Sequence, residues 1–165
     1  IGAFVCTAGL GIDNPIAQYE KDFDDYNVIL LKAVADRLAE ALTEFMHERI
    51  RKEIWGYSKN EKYTNDELIE ERYIGIRPAP GYTACPDHTE KLKIFKLLNA
   101  EKNIGVSLTE SMAMTPNSSV SGYYFSHPMS KYFTVGKVQD DQIADYAKRK
   151  NMSINEVERW LRSNI

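Results

Sequence analysis

The feature that most constrains the fold is a rigid run of ten residues, RPAPGYTACP, at positions 77–86. It contains three prolines and a glycine, and proline fixes its own φ and lacks a backbone N–H donor. Such a run can neither continue a helix nor occupy a central strand. Because the segments on both sides have helical patterning, the run predicts a stiff, extended loop. A stiff loop loses little conformational entropy when it binds a ligand.

Three residues of this loop suit the recognition of a small molecule. Arg77 supplies a planar guanidinium fork, and Tyr82 supplies an aromatic face. Gly81 has no Cβ atom, so a ligand can approach the backbone closely there. Proline-rich connections with an exposed arginine are nevertheless common in proteins. Composition alone therefore favours an ordinary connection, and the wider sequence has to decide between the two interpretations.

The first third of the chain predicts one short strand and one long helix. Residues 3–7 form a short apolar run followed by a glycine-rich turn, which is typical of a buried strand. No proline or glycine interrupts residues 24–55, and the acidic start and basic end of this segment suit a helix dipole. The predicted helix has one apolar face, which consists of Leu31, Val34, Leu38, Ala41, Leu42 and Phe45.

The remainder of the chain predicts more helices and an antiparallel hairpin. Thr64 and Glu67 have the spacing of a capping box and predict a short helix as far as residue 72, and Ser153 and Glu156 form a second box. The other predicted elements are a helix at 86–105, a strand at 107–114, hairpin strands at 120–126 and 132–138, and helices at 140–149 and 154–162. Strands and helices do not alternate regularly, so we expect an α+β fold, a helix-rich single domain around a twisted antiparallel sheet.

Composition argues against several classes of function. The 165 residues carry a formal net charge of -3, so no global basic field attracts nucleic acid or anionic lipid. The only cysteines, Cys6 and Cys85, are far apart, which argues against a disulfide framework or structural zinc and favours a reducing, cytoplasmic compartment. No apolar run is long enough to span a bilayer, so no membrane association is expected. The chain begins with isoleucine inside an apolar run, and we expect it to be part of a longer polypeptide.

Long strings of residues, spread over nearly the whole chain, give it a resemblance to a known family. They are DDYN (24–27), ADRLAEA (35–41), RYIGIRPAPGY (72–82), ACPDHTEK (84–91), LTES (108–111), SVSG (119–122), FSHP (125–128) and VERWL (157–161). In these strings the sequence resembles the activation domain of cobalamin-dependent methionine synthase. The resemblance implies that residues 1–165 are the C-terminal part of such a domain and that its N-terminal portion is missing.

The resemblance also implies a function and a set of partners. Domains of this family bind S-adenosylmethionine and present its methyl group to oxidised cobalamin, which returns methionine synthase to activity. The expected cofactors are S-adenosylmethionine, bound by the domain, and cobalamin, bound by a partner module. The expected partners are that cobalamin-binding module and a flavodoxin-like electron donor. The fragment alone would then be a binding module of a methyltransferase and not a catalyst.

The resemblance places a binding site for S-adenosylmethionine at and around the loop. It assigns to that site Arg77, Ala79, Gly81, Tyr82, Glu40, Glu71, Tyr132 and Phe133. A guanidinium at Arg77 can hold the ligand carboxylate in two parallel hydrogen bonds, and backbone near Ala79 and Gly81 can meet the adenine edge. Glu40 and Glu71 also fit simple solvated helix positions. If residues 132–138 form a strand, Tyr132 and Phe133 point to opposite faces.

Other possible sites carry weaker signals. Cys85 and His88 have a Cys-x-x-His spacing, but a metal centre needs more ligands, and we expect His88 either to pack at the helix N-terminus or to make a hydrogen bond that stabilises the loop. No histidine has partners at the spacing of a catalytic triad, so no catalytic residue and no metal ligand is predicted. Residues 143–161 have the rhythm of a helix-turn-helix, but their balanced charge gives little attraction for phosphate, and nucleic acid is not expected as a partner.

A second function remains open at this point. A stand-alone module that binds S-adenosylmethionine, or that docks to another protein without an enzymatic role, would share these features. A cobalamin-binding module in the same or a neighbouring polypeptide would favour the methionine synthase interpretation.

Overall fold

A computed structural model of the protein describes residues 1–165. It consists of seven α-helices, four short strands, one π-helical turn and one 3-10 turn. In chain order they are β1 (Gly2–Thr7), α1 (Asp13–Lys21), α2 (Asp25–Arg49), a π-helical turn (Ile50–Ile54), α3 (Asn65–Ile69), α4 (Glu90–Leu98), α5 (Ala100–Ile104), β2 (Ser107–Leu108), β3 (Met114–Thr115), β4 (Ser119–Tyr124), α6 (Asp140–Lys150), α7 (Ile154–Trp160) and a 3-10 turn (Arg162–Asn164). The predicted α+β class is confirmed.

The main sheet joins the start of the chain to β4. Strands β1 and β4 pair antiparallel in a register that runs from Gly2 opposite Tyr124 to Thr7 opposite Ser119. Beyond the end of β4, Phe125 forms an antiparallel bridge with Ile76. A second, very small sheet pairs β2 with β3. The predicted strand at 107–114 is therefore two short strands connected by a turn.

The predicted hairpin between 120–126 and 132–138 is wrong in its second strand. Residues 132–138 form no strand. The reason is that β4 lies against β1, while the backbone of Ile76 and Pro78 bonds to Phe125 and Tyr123 at its far end. The segment instead bonds to loops, because Val135 N donates to Thr83 O and Val138 N donates to Asn164 O.

Helix α2 confirms the predicted long helix but buries a different face. Asp24 caps it by accepting a hydrogen bond from the backbone N–H of Asn27 at 3.0 Å, as expected for an N-cap aspartate. The buried positions are Val28, Ala35, Ala39, Thr43 and His47. Most of the predicted apolar face is exposed, with Val34 at 46%, Leu38 at 57% and Phe45 at 53%.

Small side chains explain which face of α2 is buried. Ala35 and Ala39 allow the helix backbone to approach the sheet closely, and bulky side chains at these positions would hold it away. Thr43 Oγ1 donates to the carbonyl of Ala39, so its hydroxyl needs no partner from the sheet. A pattern of large apolar residues is therefore a poor guide to the interior of this helix.

The capping boxes at both helix starts are confirmed, and one predicted helix is divided. Thr64 and Glu67 cap α3, and Ser153 and Glu156 cap α7 with the same reciprocal hydrogen bonds. The helix expected at 86–105 is interrupted at Asn99, whose left-handed conformation separates α4 from α5. Asparagine adopts this conformation more readily than most residues.

The C-terminal helices form a hairpin with a small core of its own. Ile143, Ala147, Val157 and Leu161 are buried together between α6 and α7. Lys150, which is 10% exposed, pairs with Asp87 at 3.0 Å and also with Glu90. These contacts attach the hairpin to the residues that follow the proline loop. No helix of the protein combines the length and apolarity that crossing a bilayer requires.

Candidate ligand-binding site at the proline loop

Backbone hydrogen bonds fix the start of the loop against the sheet. Ile76 and Phe125 exchange two bonds, with N–O distances of 3.0 and 2.9 Å. The carbonyl of Pro78 accepts from Tyr123 N at 3.0 Å. Extended backbone at 76–78 follows from the prolines, because each restricts the residue before it. The loop is therefore rigid at the point where Arg77 emerges.

The end of the loop is a tight turn that only glycine fits. Gly81 has φ +99°, and its N–H donates to the carbonyl of Cys85 at 2.7 Å. The ring of His88 lies directly against Gly81, so a Cβ atom built there would lie 2.1 Å from His88 Cε1. Glycine at this position thus allows the close contact of loop backbone and imidazole.

His88 is held by a buried lysine. Lys91 is 7% exposed, and its Nζ lies 3.1 Å from His88 Nδ1 and donates to the carbonyl of Met112 at 2.9 Å. Burial, and then the charge of Lys91, lower the pKa of His88, so the ring is neutral and Nδ1 accepts the hydrogen bond. This arrangement fits the expectation that His88 stabilises the loop.

The guanidinium of Arg77 is already partly bound within the protein. Its Nη1 donates to Tyr73 Oη at 2.9 Å and lies 3.2 Å from His47 Nδ1, and its Nη2 pairs with Glu44 Oε2 at 2.6 Å. The side chain is 20% exposed. The sequence predicts a guanidinium that is free to hold a ligand carboxylate in two parallel hydrogen bonds. In this conformation Nη1 is fully used, and the donors that remain are Nε–H and part of Nη2.

His47 serves as a structural acceptor and not as a base. The residue is fully buried, and its ring stacks on Tyr124 and meets Tyr73 edge-on. Burial, followed by the charges of Arg51 and Arg77, lowers the pKa of His47 to about 3. The imidazole therefore stays neutral at physiological pH, and Nδ1 faces the Arg77 N–H as an acceptor. Near Arg77, no histidine is available for general base catalysis.

Three acids at four-residue steps follow one face of α2 towards Arg77. Asp36, Glu40 and Glu44 share this face, since residues four apart are neighbours on a helix. Asp36 and Glu40 line a cavity of about 430 Å³, where Asp36 Oδ1 accepts from Ser118 Oγ at 2.6 Å. Glu44 is the acid that contacts Arg77, and the sequence analysis missed it. Its spacing of four residues from Glu40 was the one signal that pointed to it.

Tyr132 and Phe133 have different neighbours in the structure. Tyr132 Oη accepts a hydrogen bond from the backbone N–H of Arg77 at 2.9 Å. Phe133 lines a different, mostly apolar cavity of about 750 Å³, together with Pro78 and Phe125. The expectation of opposite faces depended on a strand, and this segment forms none.

The remaining predicted residues form no hydrogen bond or ion pair with the Arg77 guanidinium. Tyr82 is 69% exposed, and Ala79 is half-buried. Glu71 is exposed and has a positive φ of 56°, which is uncommon for a residue other than glycine. No hydrogen bond or ion pair joins Glu40 or Glu71 to Arg77. The structure thus brings Arg77, Tyr132 and Glu44 into direct contact.

The site has donors, acceptors and aromatic faces, but its acids and histidines do not assemble a metal centre. No three His, Cys, Asp or Glu side chains converge as ligands. Both cysteines carry free thiols, and Cys6 is buried. A rigid loop beside a buried arginine and an acidic helix face can orient a small ligand. The fold and the site therefore define the class of the protein as an α+β domain with a candidate ligand-binding loop.

Comparison with known proteins specifies the family. The model of the family described as "Vitamin B12 dependent methionine synthase, activation domain" matches residues 1–151. The chain belongs to this family. The resemblance seen in the sequence is thereby confirmed.

A solved structure of the same kind supports the assignment. The chain is similar to the protein of the "Crystal Structure of the MetH Reactivation Domain bound to AdoHcy", with 59% sequence identity and a TM-score of 0.95. The match covers 99% of this chain and 50% of that one. The chain thus spans about half the length of the solved protein.

Proposed function

We propose that this chain is part of an activation domain that binds S-adenosylmethionine at the proline loop and presents its methyl group to cobalamin. The observation that carries the proposal is the 59% identity to a reactivation domain bound to S-adenosylhomocysteine, together with the rigid Arg77 loop. S-adenosylhomocysteine is the product that S-adenosylmethionine leaves after giving up its methyl group. A site that holds one of these ligands can hold the other.

The chemistry of the site matches the parts of this ligand. The α-carboxylate suits the unused donors of Arg77, whose charge strengthens hydrogen bonds to an anion. The exposed ring of Tyr82 offers an aromatic face for the adenine, and backbone at Ala79 can meet the adenine edge, whereas the N–H of Gly81 is already bonded to Cys85 O. The carboxylates of Glu40 and Glu71 attract the positive sulfonium and ammonium groups. Phe133 adds apolar surface.

Positioning, and not acid–base chemistry, is the contribution we assign to this chain. Holding a methyl donor in line with its acceptor can supply a large part of a reaction barrier. Cobalamin, carried by a partner module, supplies the reactive metal centre, and a flavodoxin-like protein supplies one electron. The fragment alone is then a module of a methyltransferase and not a catalyst.

Titration with S-adenosylmethionine and S-adenosylhomocysteine tests the proposal. Calorimetry is carried out on the 165-residue chain and on the longer natural polypeptide that contains it, after circular dichroism has shown that both are folded. We expect saturable binding of one ligand per chain by the longer polypeptide. No binding by either protein overturns the proposal.

We also propose that the rest of the activation domain covers the exposed apolar face of α2, formed by Val34, Leu38, Leu42 and Phe45. About half of the solved reactivation domain lies outside the part that this chain matches. An exposed apolar strip over several turns of one helix is typical of a covered surface. The half of the domain outside this chain is long enough to cover the strip, and we assign this role to the N-terminal portion predicted from the sequence.

Replacing Leu38 with glutamate should destabilise the longer polypeptide but have little effect on the 165-residue chain. In the 165-residue chain, where Leu38 is 57% exposed, we expect the free energy of unfolding to change by less than about 0.5 kcal/mol. In the longer polypeptide, we expect a loss of about 1–2 kcal/mol, because an apolar side chain is then buried. Urea unfolding measures both. Ile154→Glu on α7, where Ile154 is 51% exposed, is the matched control and should change neither. An equal effect of Leu38→Glu in both proteins would show that the face stays open.

A further inference from the structure

We propose that Glu44 is a specificity-determining residue that makes the Arg77 site selective for an α-amino acid, in which a carboxylate and an ammonium group lie side by side. This inference rests on the proposed function and names the part of the ligand that Glu44 selects.

Glu44 turns a positive site into a neutral pair. Its Oε2 lies 2.6 Å from Arg77 Nη2, and no other acid forms an ion pair with Arg77. A ligand carboxylate bound to the remaining donors of Arg77 would lie within a few ångströms of the Glu44 carboxylate. Two like charges at that separation repel, and the repulsion is strong where water is partly excluded. A ligand with a carboxylate alone is therefore penalised at this site.

An α-ammonium group removes the penalty. It lies two bonds from the ligand carboxylate carbon, so it reaches the same side of the guanidinium as Glu44. One oxygen of Glu44, Oε1, is buried and has no hydrogen-bond partner within the protein. The side chain is 32% exposed, and the terminal torsion of glutamate is soft, so a partial rotation can turn Oε1 towards the surface while Oε2 stays beside Arg77. An ammonium group at this edge would supply the donor that the carboxylate lacks.

The neighbours of Arg77 hold its guanidinium in place beside Glu44. Tyr73 and His47 both engage Nη1, and Tyr132 holds the backbone N–H of Arg77. His47 is buried and neutral, so it does not compensate the charge of Glu44. The guanidinium therefore presents one fixed edge, and Glu44 lies beside it. Glu40 is one helical turn away and makes no contact with Arg77, which separates its role from that of Glu44.

Three ligands separate the contributions of the two charged groups. S-adenosylhomocysteine has both the carboxylate and the ammonium, its des-amino analogue S-adenosyl-4-mercaptobutyrate keeps only the carboxylate, and 5′-methylthioadenosine has neither. Affinities are measured by calorimetry. The protein is the 165-residue chain or the longer polypeptide, whichever binds S-adenosylhomocysteine in the titration proposed above. The variants are Glu44→Gln and Glu48→Gln. Glu48 lies one turn further along α2, is 39% exposed and pairs with Lys52, which makes it a matched control.

The wild type should prefer S-adenosylhomocysteine to the des-amino analogue by about tenfold or more. In Glu44→Gln we expect this preference to fall about tenfold, while the affinity for 5′-methylthioadenosine stays within about twofold of the wild type. Glu48→Gln should keep the wild-type preference. The inference is overturned if Glu44→Gln keeps the preference, or if it weakens all three ligands equally, which is the result of a purely structural role. Failure of the wild type to bind any of the three overturns the proposed function itself.

Discussion

Replacing Arg77 with alanine should weaken the binding of S-adenosylhomocysteine by about 100-fold. The substitution removes two donors that face the ligand carboxylate, and each charge-assisted hydrogen bond is worth about 1.5 kcal/mol or more. It also leaves the carboxylate of Glu44 without its partner, and this carboxylate then repels the ligand. Calorimetric titration of wild type and variant measures the effect, with 5′-methylthioadenosine as a ligand that lacks the carboxylate.

Arg72→Ala is the control for this experiment. Arg72 lies five residues earlier, is 57% exposed, and pairs with Glu67 and Glu70 on the surface. Exposed pairs of this kind contribute little, so binding should change by less than about twofold. Because Arg77 is itself 80% buried and bonded to Tyr73, urea unfolding must accompany the titration. If the variant is folded and binds S-adenosylhomocysteine as the wild type does, Arg77 is not the carboxylate site.

Interactions between residues close in the sequence were sufficient to predict the starts of two helices and the extended proline loop. The side chains of Thr64 and Ser153 accept hydrogen bonds from the backbone N–H groups of Glu67 and Glu156, and both helices begin where the capping boxes predict. The proline run is an extended loop because proline leaves few alternatives. In each case a residue acts on neighbours in the sequence, and no distant contact is needed to decide the outcome.

Two of the errors concern contacts between distant parts of the chain. Large apolar residues of α2 face outward because Ala35 and Ala39 are small enough to meet the sheet. Residues 132–138 have the composition of a strand. They form none, because the backbone of Ile76 and Pro78 occupies the hydrogen-bonding groups of Phe125 and Tyr123 at the end of β4. Propensity describes what a segment can do, and the available partners decide what it does.

Some contacts of the candidate site were predicted, and one was not. The family likeness placed Arg77 and Tyr132 together, and they are joined by a hydrogen bond across 55 positions of sequence. It did not predict Glu44, because a glutamate on a helix with several acids carries no distinctive pattern. Only the tertiary arrangement of α2 and the loop shows which of these acids meets the guanidinium.

Replacing Gly81 with alanine should destabilise the protein by about 2–6 kcal/mol, because two costs add. A φ of +99° is unfavourable for a residue with a Cβ atom, at about 1–3 kcal/mol. The new methyl group would also lie 2.1 Å from His88 Cε1, and overpacking of this kind costs about 1–3 kcal/mol. Either the loop or the imidazole must move, so binding of S-adenosylhomocysteine should fall together with stability. Urea unfolding and calorimetry measure the two effects.

Other glycines of the same chain separate these costs. Gly11 has φ +82° with no atom within 4 Å of a built Cβ, so Gly11→Ala reports the backbone cost alone. Gly136 has neither a positive φ nor a close neighbour, and Gly136→Ala should be neutral or slightly stabilising. His88→Ala gives the new methyl group room. In that background, Gly81→Ala should therefore lower the free energy of unfolding by the backbone cost alone, without the cost of overlap with the imidazole. If Gly81→Ala is no more destabilising than Gly11→Ala, the imidazole yields easily, and the loop is not the rigid support on which the positioning of the ligand depends.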